Sequence, residues 1–556
     1  MEKYLVTAAL PYANGPVHIG HIAGAYLPAD IYVRFLRLTG QEVVFICGTD
    51  EHGVPITLAA EKKGQPPKAY VEDIHTQIKE TFRRVGMSFD NFSGTARPVH
   101  YAQTTEFFLA LDKNGYLEKK GIQQLYCGHC RRFLPDRYVE GTCPLCHKEG
   151  ARGDQCEACG SDLDQITLIR PVCKICGGTP EQKDTFHWFL KLSKFEPQLK
   201  AWLDKKKGAW KENVLNFAQG LLSQGLPDRA ITRDMEWGVP VPFPEGAGKV
   251  IYVWFDAPIG YISSTIEWAT EVKKDPELWK RYWHDPKTRL VHFIGKDNIV
   301  FHSIMWPAVL MGVGGFCLPW QIPANEFLNL EGKKVSTSRN YAIWIHEFLD
   351  VFSPDMLRYY IATNAPETKD ADFSLKEFQA IVNGELADVL GNFVNRTVTF
   401  VHRYFNGTVP PLSVPDAETQ ALLARIPTAR ADIGTAYAGF QVRKAASLLM
   451  GLARDANKYF NDQAPWKSRK DNPDKCATTL HASLHLIRAL AVLGSPLLPF
   501  TAEKMKALFP AGTDLAWNGL ETPLAAGAAV GAPEILFQKI EDAAIAGYAD
   551  RLGTDG

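Results

Sequence analysis

The run KYLVTAALPYANGPVHIGHIAGAYLPADIYVRFLRLTG, residues 3–40, decides the fold. Residues 3–10 form a short apolar run, of the length of a buried strand. Pro11 to Gly15 carry turn chemistry, and from about His18 to Leu38 apolar residues recur at helical spacing until Gly40 stops them. EVVFICG (42–48) reads as a second strand and PKAYVEDIHTQIKETFRRVG (67–86) as a second helix. Strands alternating with helices predict a doubly wound parallel sheet, so the class is α/β. The alternation breaks near residue 119. It resumes with strand-like runs at KVIYVWFDAPIGY (249–261) and RLVHFIGKD (289–297). The expectation is a Rossmann-type parallel-sheet domain split by an insertion, which chains tolerate at loops. From about 376 onward the period is helical: FQAIVNGELADVLGNFVNRTVTFVHRYF (378–405), then helices near 416–435, 436–461, 475–494 and 500–508. This predicts an α-helical bundle. LAAGAAVGAP (524–533) reads as a small-residue linker, and the tail from Ile535 as a final strand and helix.

The chain has 556 residues, 46% of them hydrophobic and 22% charged, with a net charge of −1. That is enough for several cored domains and excludes a wholly disordered chain or one held on nucleic acid by bulk charge. The N-terminal apolar run is broken by Pro11 and is too short for a signal peptide. Residues 299–320 (IVFHSIMWPAVLMGVGGFCLPW) lack formal charge and are long enough to span a bilayer, but Pro307, Pro319, Gly314-Gly315, His302 and Ser303 interrupt them. They read as a buried helix followed by a loop, and no membrane partner is expected. Of eleven cysteines, eight form four Cys-x-x-Cys pairs: Cys127/Cys130, Cys143/Cys146, Cys156/Cys159 and Cys173/Cys176. In each pair both sulfurs can reach one tetrahedral ion, so eight thiolates suit two zinc sites of four cysteines each, in a reducing, cytoplasmic setting. Spacing leaves open which pairs share an ion.

Two segments carry candidate phosphate chemistry. His18-Ile19-Gly20-His21 opens the first helix, beyond the end of the first strand, where open α/β sheets bind ligands. Helix-start N–H groups favour phosphate, two imidazoles can donate to a developing oxyanion, and Gly20 lets an adenine ring approach the backbone. Far downstream, Gly332-Lys333-Lys334-Val335-Ser336-Thr337-Ser338-Arg339-Asn340 reads as a mobile cationic loop able to neutralise pyrophosphate. Gly295-Lys296-Asp297 closes a strand, where a carboxylate can accept from ribose hydroxyls.

Together these motifs resemble those of class I aminoacyl-tRNA synthetases, which carry His-Ile-Gly-His early and Lys-Met-Ser-Lys-Ser late. The first is intact. In the second, Thr337 stands where the family has its second lysine, and Lys334, aided by Lys333 or Arg339, is expected to carry the charge. Ala9-Leu10-Pro11-Tyr12-Ala13-Asn14-Gly15, Phe45 to Gly53, Trp254 to Tyr261 and His292 to Asp297 resemble segments of the methionine-specific branch over nearly the whole chain. The resemblance implies methionine–tRNA ligation: methionine and ATP give methionyl-adenylate and pyrophosphate, and the methionyl group then passes to the 3′-terminal ribose of tRNA(Met), initiator and elongator. It implies catalytic His18, His21 and Lys334, with ATP on Gly20, Gly295, Lys296, Asp297, Lys334 and Thr337. Methionine would lie on the Leu10 backbone, Tyr12, Asp50, Trp254, Ala257, Pro258, Tyr261 and His302, with Asp50 facing the ammonium and aromatic rings facing the sulfur. Homocysteine, one methyl smaller, is the expected difficult competitor. The resemblance also implies one zinc on Cys143, Cys146, Cys156 and Cys159, a second on Cys127, Cys130, Cys173 and Cys176, and Mg2+ with ATP. Asn392, Arg396 and Trp466 resemble anticodon-reading positions, where an indole stacks on a base and amide and guanidinium groups bond its edges.

The expected division is a first catalytic half at 1–118, a zinc-bearing insertion at 119–232 and a second catalytic half at 233–323. A stem-contact region with the Lys334 loop follows at 324–385, then a helical anticodon-binding domain at 386–530 and a tail at 531–556. The short insertion leaves little room for a hydrolytic editing domain, which disfavours a ligase for leucine, isoleucine or valine. The rivals are a catalytically silent tRNA-binding relative, to which Thr337 lends weight, and a zinc-bearing nucleic-acid module that leaves both phosphate motifs unexplained. No DNA partner is expected, and a monomer is the default.

Overall fold

The computed structural model describes residues 2–135, 138–153, 156, 158–159, 161, 163–336 and 340–552. Its central sheet has five parallel strands, β1 (Lys3–Ala8), β2 (Glu42–Thr49), β3 (Asn91–Gly94), β4 (Arg289–Gly295) and β5 (Ala324–Asn325), in the order β5-β4-β1-β2-β3. Strand order therefore reverses between β1 and β4, the switch point at which such sheets bind ligands. The strands read as continuous apolar runs because both faces are covered. Tyr4, Val6, Ala8, Phe45 and Phe293 enter one core, shared with the helix Leu27–Leu38 and the bundle. Leu5, Val44, Ile46, Leu290 and Ile294 enter the other, against the helices Pro98–Lys113, Ile259–Glu267 and Trp306–Val313.

Between β3 and β4 the chain leaves the sheet. Leu117–Cys127 pairs antiparallel with Glu181–Leu190, the cysteine pairs lie on and between short strands, and the helices Glu196–Asp204 and Glu212–Gln224 follow. The strand expected over 249–261 shrinks to Val250–Ile251, because the helices Val253–Asp256 and Ile259–Glu267 take the rest. A short, mostly apolar run has no period that separates strand from helix. Within 299–320 the helix Trp306–Val313 is buried and a loop follows, as the sequence suggests.

Beyond the sheet, helix runs through Leu375–Ile381, Val382–Gly391 and Asn392–Phe405, then continues in the bundle. Its helix Pro473–Gly494 is apolar and long enough to cross a membrane, yet every residue of its apolar window is buried inside the protein. The helix expected at 416–435 is two, Ala417–Leu423 and Arg425–Ala438. Residues 524–533 form an ordered strap rather than a linker. Val409 N–H donates to the Ala528 carbonyl at 2.8 Å, Val530 N–H to Gly407 and Gly531 N–H to Leu508. Small side chains suit this close approach of backbones. The expected final strand after Ile535 does not form; Ile540 N–H instead donates to Asn383 Oδ1 at 2.8 Å, and the helix Asp542–Ala549 ends the described chain.

One fully buried ion pair ties sheet to bundle. Arg358, on the helix Pro354–Thr363, donates from Nη2 to Asp30 Oδ2 at 2.7 Å and to the Pro496 carbonyl at 2.8 Å, and from Nε to Leu497 at 3.0 Å. Asp30 also accepts from Arg34 and from the Ser88 N–H and hydroxyl. Burial pushes the Asp30 carboxyl up, but Arg358, Arg34 and Ser88 outweigh it and hold it below the ordinary carboxylate value. Breaking a buried pair by removing one partner costs about 3–5 kcal/mol. Arg358→Met is therefore expected to lower Tm sharply, whereas Arg34→Met, which leaves Asp30 paired, lowers it little. Equal small losses in thermal denaturation would contradict this.

Candidate active site

The turn from β1 into the first helix places His18 at the helix start as its N-cap. Gly20 N–H donates to His18 Nδ1 at 3.2 Å, and His18 N–H donates to His21 Nδ1 at 3.0 Å. Both Nδ1 atoms are therefore acceptors, and each neutral ring keeps its proton on Nε2, free for donation. Neutrality is enforced. Burial, then the neighbouring His21, pushes His18 well below its ordinary value, and burial alone brings His21 to about 4. The rings stack with centroids 3.8 Å apart. A Cβ on Gly20 would lie 3.1 Å from the His18 ring, so any side chain there crowds the stack.

The chain just past the second motif is bonded to the first. Ile19 N–H donates to the Ile343 carbonyl at 3.0 Å and Ile345 N–H to Val17 at 3.1 Å. The loop is pinned at its start by Gly332 N–H donating to Asp372 Oδ1 at 2.7 Å, and further along by reciprocal Ser336–Tyr341 bonds of 2.9 Å. Thr337, Ser338 and Arg339 lie outside the described residues. Lys334 reaches the same cleft, of about 430 Å³, as Leu10, Tyr12, His18, Gly20, His21, Gly295 and Asp297. Burial pushes the Asp297 carboxyl up. Lys296 is not part of that lining; it pairs with Glu326 at 2.9 Å and Asp370 at 2.7 Å.

Tyr12 also borders a second cavity, of about 170 Å³, together with His52, Gly53 and Trp254. Asp50 sits at the end of β2, its N–H bonded to the Pro11 carbonyl at 2.9 Å and its carbonyl accepting from Ala13 N–H at 2.8 Å. Its Oδ1 is buried and has no hydrogen-bond partner. Burial, then the negative charge of Asp256, raises the Asp50 carboxyl well above its ordinary value. The His52 N–H bonds the carboxyl, but a buried carboxylate with its other oxygen unbonded is still a costly arrangement that a cation beside it would relieve. Nearby, His302 Nδ1 faces the Asn298 carbonyl at 3.0 Å, so its Nε2 accepts from the Tyr261 hydroxyl at 2.8 Å. Burial lowers His302 to about 4, so this pair presents no charge. Pro258 is buried beside Ala257 on the turn between two helices, while Trp254 is 47% exposed and packs on Phe301. The sequence reading missed His52, Asp256 and His292. His292 Nδ1 meets Thr7 Oγ1 at 2.6 Å, and its Nε2 has no hydrogen-bond partner. The ionisable run Asp50-Glu51-His52 at the end of an apolar strand was the available signal.

Two clusters gather the cysteine pairs as nested sets, Cys127, Cys130, Cys173 and Cys176 around Cys143, Cys146, Cys156 and Cys159. Sγ···Sγ separations are 3.5 Å (Cys127–Cys176), 3.9 Å (Cys130–Cys173), 3.9 Å (Cys143–Cys159) and 3.6 Å (Cys146–Cys156). A tetrahedron with Zn–S bonds near 2.3 Å has edges of about 3.8 Å, so both sets fit such an ion. At the bundle end, Arg396 lies over Trp466, 5.3 Å from the ring centroid, and over Phe460 at 4.7 Å, with Nη1 donating to Asn461 Oδ1 at 2.8 Å. Trp466 is 36% exposed, and Asn392 lies exposed one turn before Arg396.

Residues 4–398 match the family model described as tRNA synthetases class I (M), and residues 409–555 match the anticodon binding domain of methionyl tRNA ligase. The chain is 49% identical to the methionine–tRNA ligase of Salinibacter ruber, over 99% of this chain and 81% of that protein. It is 50% identical to that of Pyrococcus furiosus, over 98% and 76%. Among solved structures it is similar to Mycobacterium tuberculosis methionyl-tRNA synthetase in complex with methionyl-adenylate. The TM-score is 0.81 at 27% identity, covering 97% of this chain and all of that one.

Asp50 should behave as a residue whose charge destabilises the ligand-free fold. Its raised folded value means that this cost is absent at low pH and grows as pH rises towards and through that value. Asp50→Asn is expected to raise Tm by about 2–4 °C at pH 8 and less at pH 5. A fall of several degrees in thermal denaturation would show that the Asp50 charge is no cost to the fold.

Proposed function

The chain belongs to the methionine-specific class I tRNA synthetases, and we propose that its cleft activates methionine with ATP while its helical end reads the tRNA that receives it. The enzyme is a methionine–tRNA ligase. The observation that carries the division of roles is the zipper of backbone bonds joining 17–19 to 343–345. It holds two neutral imidazole donors and Lys334 around one cleft, with the unbonded Oδ1 of Asp50 at the neighbouring strand end.

In this reading Asp50 pairs with the methionine ammonium, near the Leu10 backbone and Tyr12. The uncharged Tyr261–His302 pair, Ala257, Pro258 and Trp254 receive the thioether chain, and their neutrality rejects ionised side chains. Thioether–ring contacts contribute roughly 0.3–1.5 kcal/mol each. Gly20, Gly295, Lys296, Asp297, Lys334 and Thr337 bind ATP, with Asp297 at the ribose. The methionine carboxylate oxygen attacks the α-phosphorus and pyrophosphate leaves. His18 and His21 donate from Nε2 to phosphate oxygens as charge builds there, and Lys334 neutralises the leaving pyrophosphate. Catalysis is alignment plus preorganised electrostatics, with no covalent protein intermediate. Mg2+ accompanies ATP and offsets phosphate charge. The terminal ribose hydroxyl of tRNA(Met) then attacks the methionyl carbonyl and AMP departs.

The same reading assigns 1–118 and 233–323 to activation, 119–232 to the metal-bearing insertion and 324–385 to the loop and tRNA stem. It assigns 386–530 to the anticodon, with 531–556 as tail. The two cysteine sets hold zinc as closed structural sites, all four donors being thiolates and no position left for catalysis. Two zinc ions per chain are expected by metal analysis, with chelation lowering Tm; one ion per chain would refute the two-site assignment. We read the protein as a cytoplasmic monomer. Asn392, Arg396 and Trp466 read the anticodon, Trp466 by stacking.

The test is ATP–pyrophosphate exchange without tRNA, run with methionine, leucine, isoleucine, valine and cysteine, followed by tRNA charging. Exchange with methionine alone is expected. Trp466→Ala should leave exchange intact and cut charging by the loss of one stacked base, about 1–3 kcal/mol or roughly 5- to 150-fold. Exchange with another amino acid would overturn the pocket assignment, and equal loss in both assays would overturn the role of Trp466.

A further inference from the structure

Asp50, Glu51 and His52 are consecutive, all buried, and each side chain has a different fate. Asp50 Oδ1 is left open. Glu51 is consumed by structure: it accepts from Thr49 Oγ1 and from Ala96 N–H, both at 2.7 Å, while its carbonyl takes the Trp237 indole N–H at 2.7 Å. His52 reaches across the site. Its Nδ1 lies 2.7 Å from Asp256 Oδ2, and its Nε2 lies 3.3 Å from the Tyr101 hydroxyl. Asp256 is fully buried on the helix Val253–Asp256, with His100 Nε2 at 3.6 Å from the same oxygen.

The Asp256–His52 bond joins opposite sides of the split domain. Asp256 belongs to the segment 254–261 that supplies Trp254, Ala257, Pro258 and Tyr261. His52 belongs to the strand-end loop that supplies Asp50. The His52 carbonyl accepts from the Tyr12 hydroxyl at 2.6 Å. Next in the chain, Gly53 has φ +102, and a Cβ there would lie 2.5 Å from that hydroxyl. Tyr12 in turn bridges to Asp50 through backbone pairing. One carboxylate therefore fixes the loop that seats both Tyr12 and Asp50.

We infer that Asp256 is a positioning residue for amino-acid recognition, acting through His52 to hold Asp50 and Tyr12 in register with the thioether pocket. Its negative charge also adds to the potential that draws an ammonium towards Asp50, so losing it weakens binding by both routes. Asp256 itself touches no reacting atom. The inference rests on the proposed role of Asp50 and deepens it.

The experiment is pyrophosphate exchange by the full chain, varying methionine and ATP separately. Asp256→Asn is expected to raise the methionine KM about tenfold or more while the ATP KM stays within about twofold. His52→Ala should reproduce that selective rise, and the double variant should be no worse than the worse single one, as for residues acting as one unit. If Asp256→Asn fails to fold, His52→Ala alone reads the same link. A folded variant with unchanged methionine KM, parallel rises in both KM values, or additive losses would each overturn the inference. Asp50→Asn separates the two levels. If it too leaves the methionine KM unchanged, the reading of the site has failed; if it raises that KM and Asp256→Asn does not, only the role of Asp256 has.

Discussion

A carboxylate buried at the end of a parallel strand with an oxygen left unbonded is the constraint around which the catalytic part of this protein is arranged. Left to relax, Asp50 would find a donor or take up a proton. The fold gives the carboxyl the His52 N–H and spends the other nearby donors elsewhere, so Oδ1 stays unbonded. Glu51 takes the Ala96 N–H, Asp256 takes the His52 imidazole, and the backbone of Asp50 is bonded to Pro11 and Ala13 on both sides. The nearby Tyr261–His302 pair is uncharged, because burial lowers His302 and commits it to Tyr261. In the proposed reading an amino acid brings a cation for Asp50 and an apolar chain for the uncharged pair, and one molecule serves both.

The parts of the site come from distant stretches of chain, and their alignment depends on bonds between them. Residues 17–19 are hydrogen-bonded to 343–345, so the imidazole pair and the lysine loop share one frame although more than three hundred residues separate them. Asp372 holds the start of that loop from a strand, Ala371–Phe373, paired with Leu328–Leu330. Arg358 then carries the connection from the first helix to the carbonyls of Pro496 and Leu497 in the bundle. A buried charge at such a junction leaves few alternative dockings, because any shift breaks the bond between Arg358 and Asp30 without water to replace it.

Much of this was legible in the sequence because the signals were local. The strand–turn–helix at 3–38 and the bundle helices follow from period and punctuation, and the cysteine pairs from spacing. The errors arose where local pattern carries no direction. Residues 249–261 are mostly apolar and fold largely as helix where a strand was expected. Residues 524–533 have linker composition, yet their small side chains serve close packing against Gly407, Val409 and Leu508. The nesting of the cysteine sets needed three dimensions, since spacing fits adjacent pairing equally well. His52 and Asp256, more than two hundred residues apart, form a pair that no local pattern announces. Asp50 was legible as a candidate, but not the fact that its neighbours leave one of its oxygens unbonded.

The measurement that bears most directly on the account is calorimetric binding of methionine and of 4-(methylthio)butanoate, the same molecule without its amino group, to the full chain. The account predicts that the desamino compound binds about 10- to 150-fold more weakly, the range of a charge-assisted bond to a buried group. Equal affinity would contradict it, since Asp50 would then be waiting for no cation.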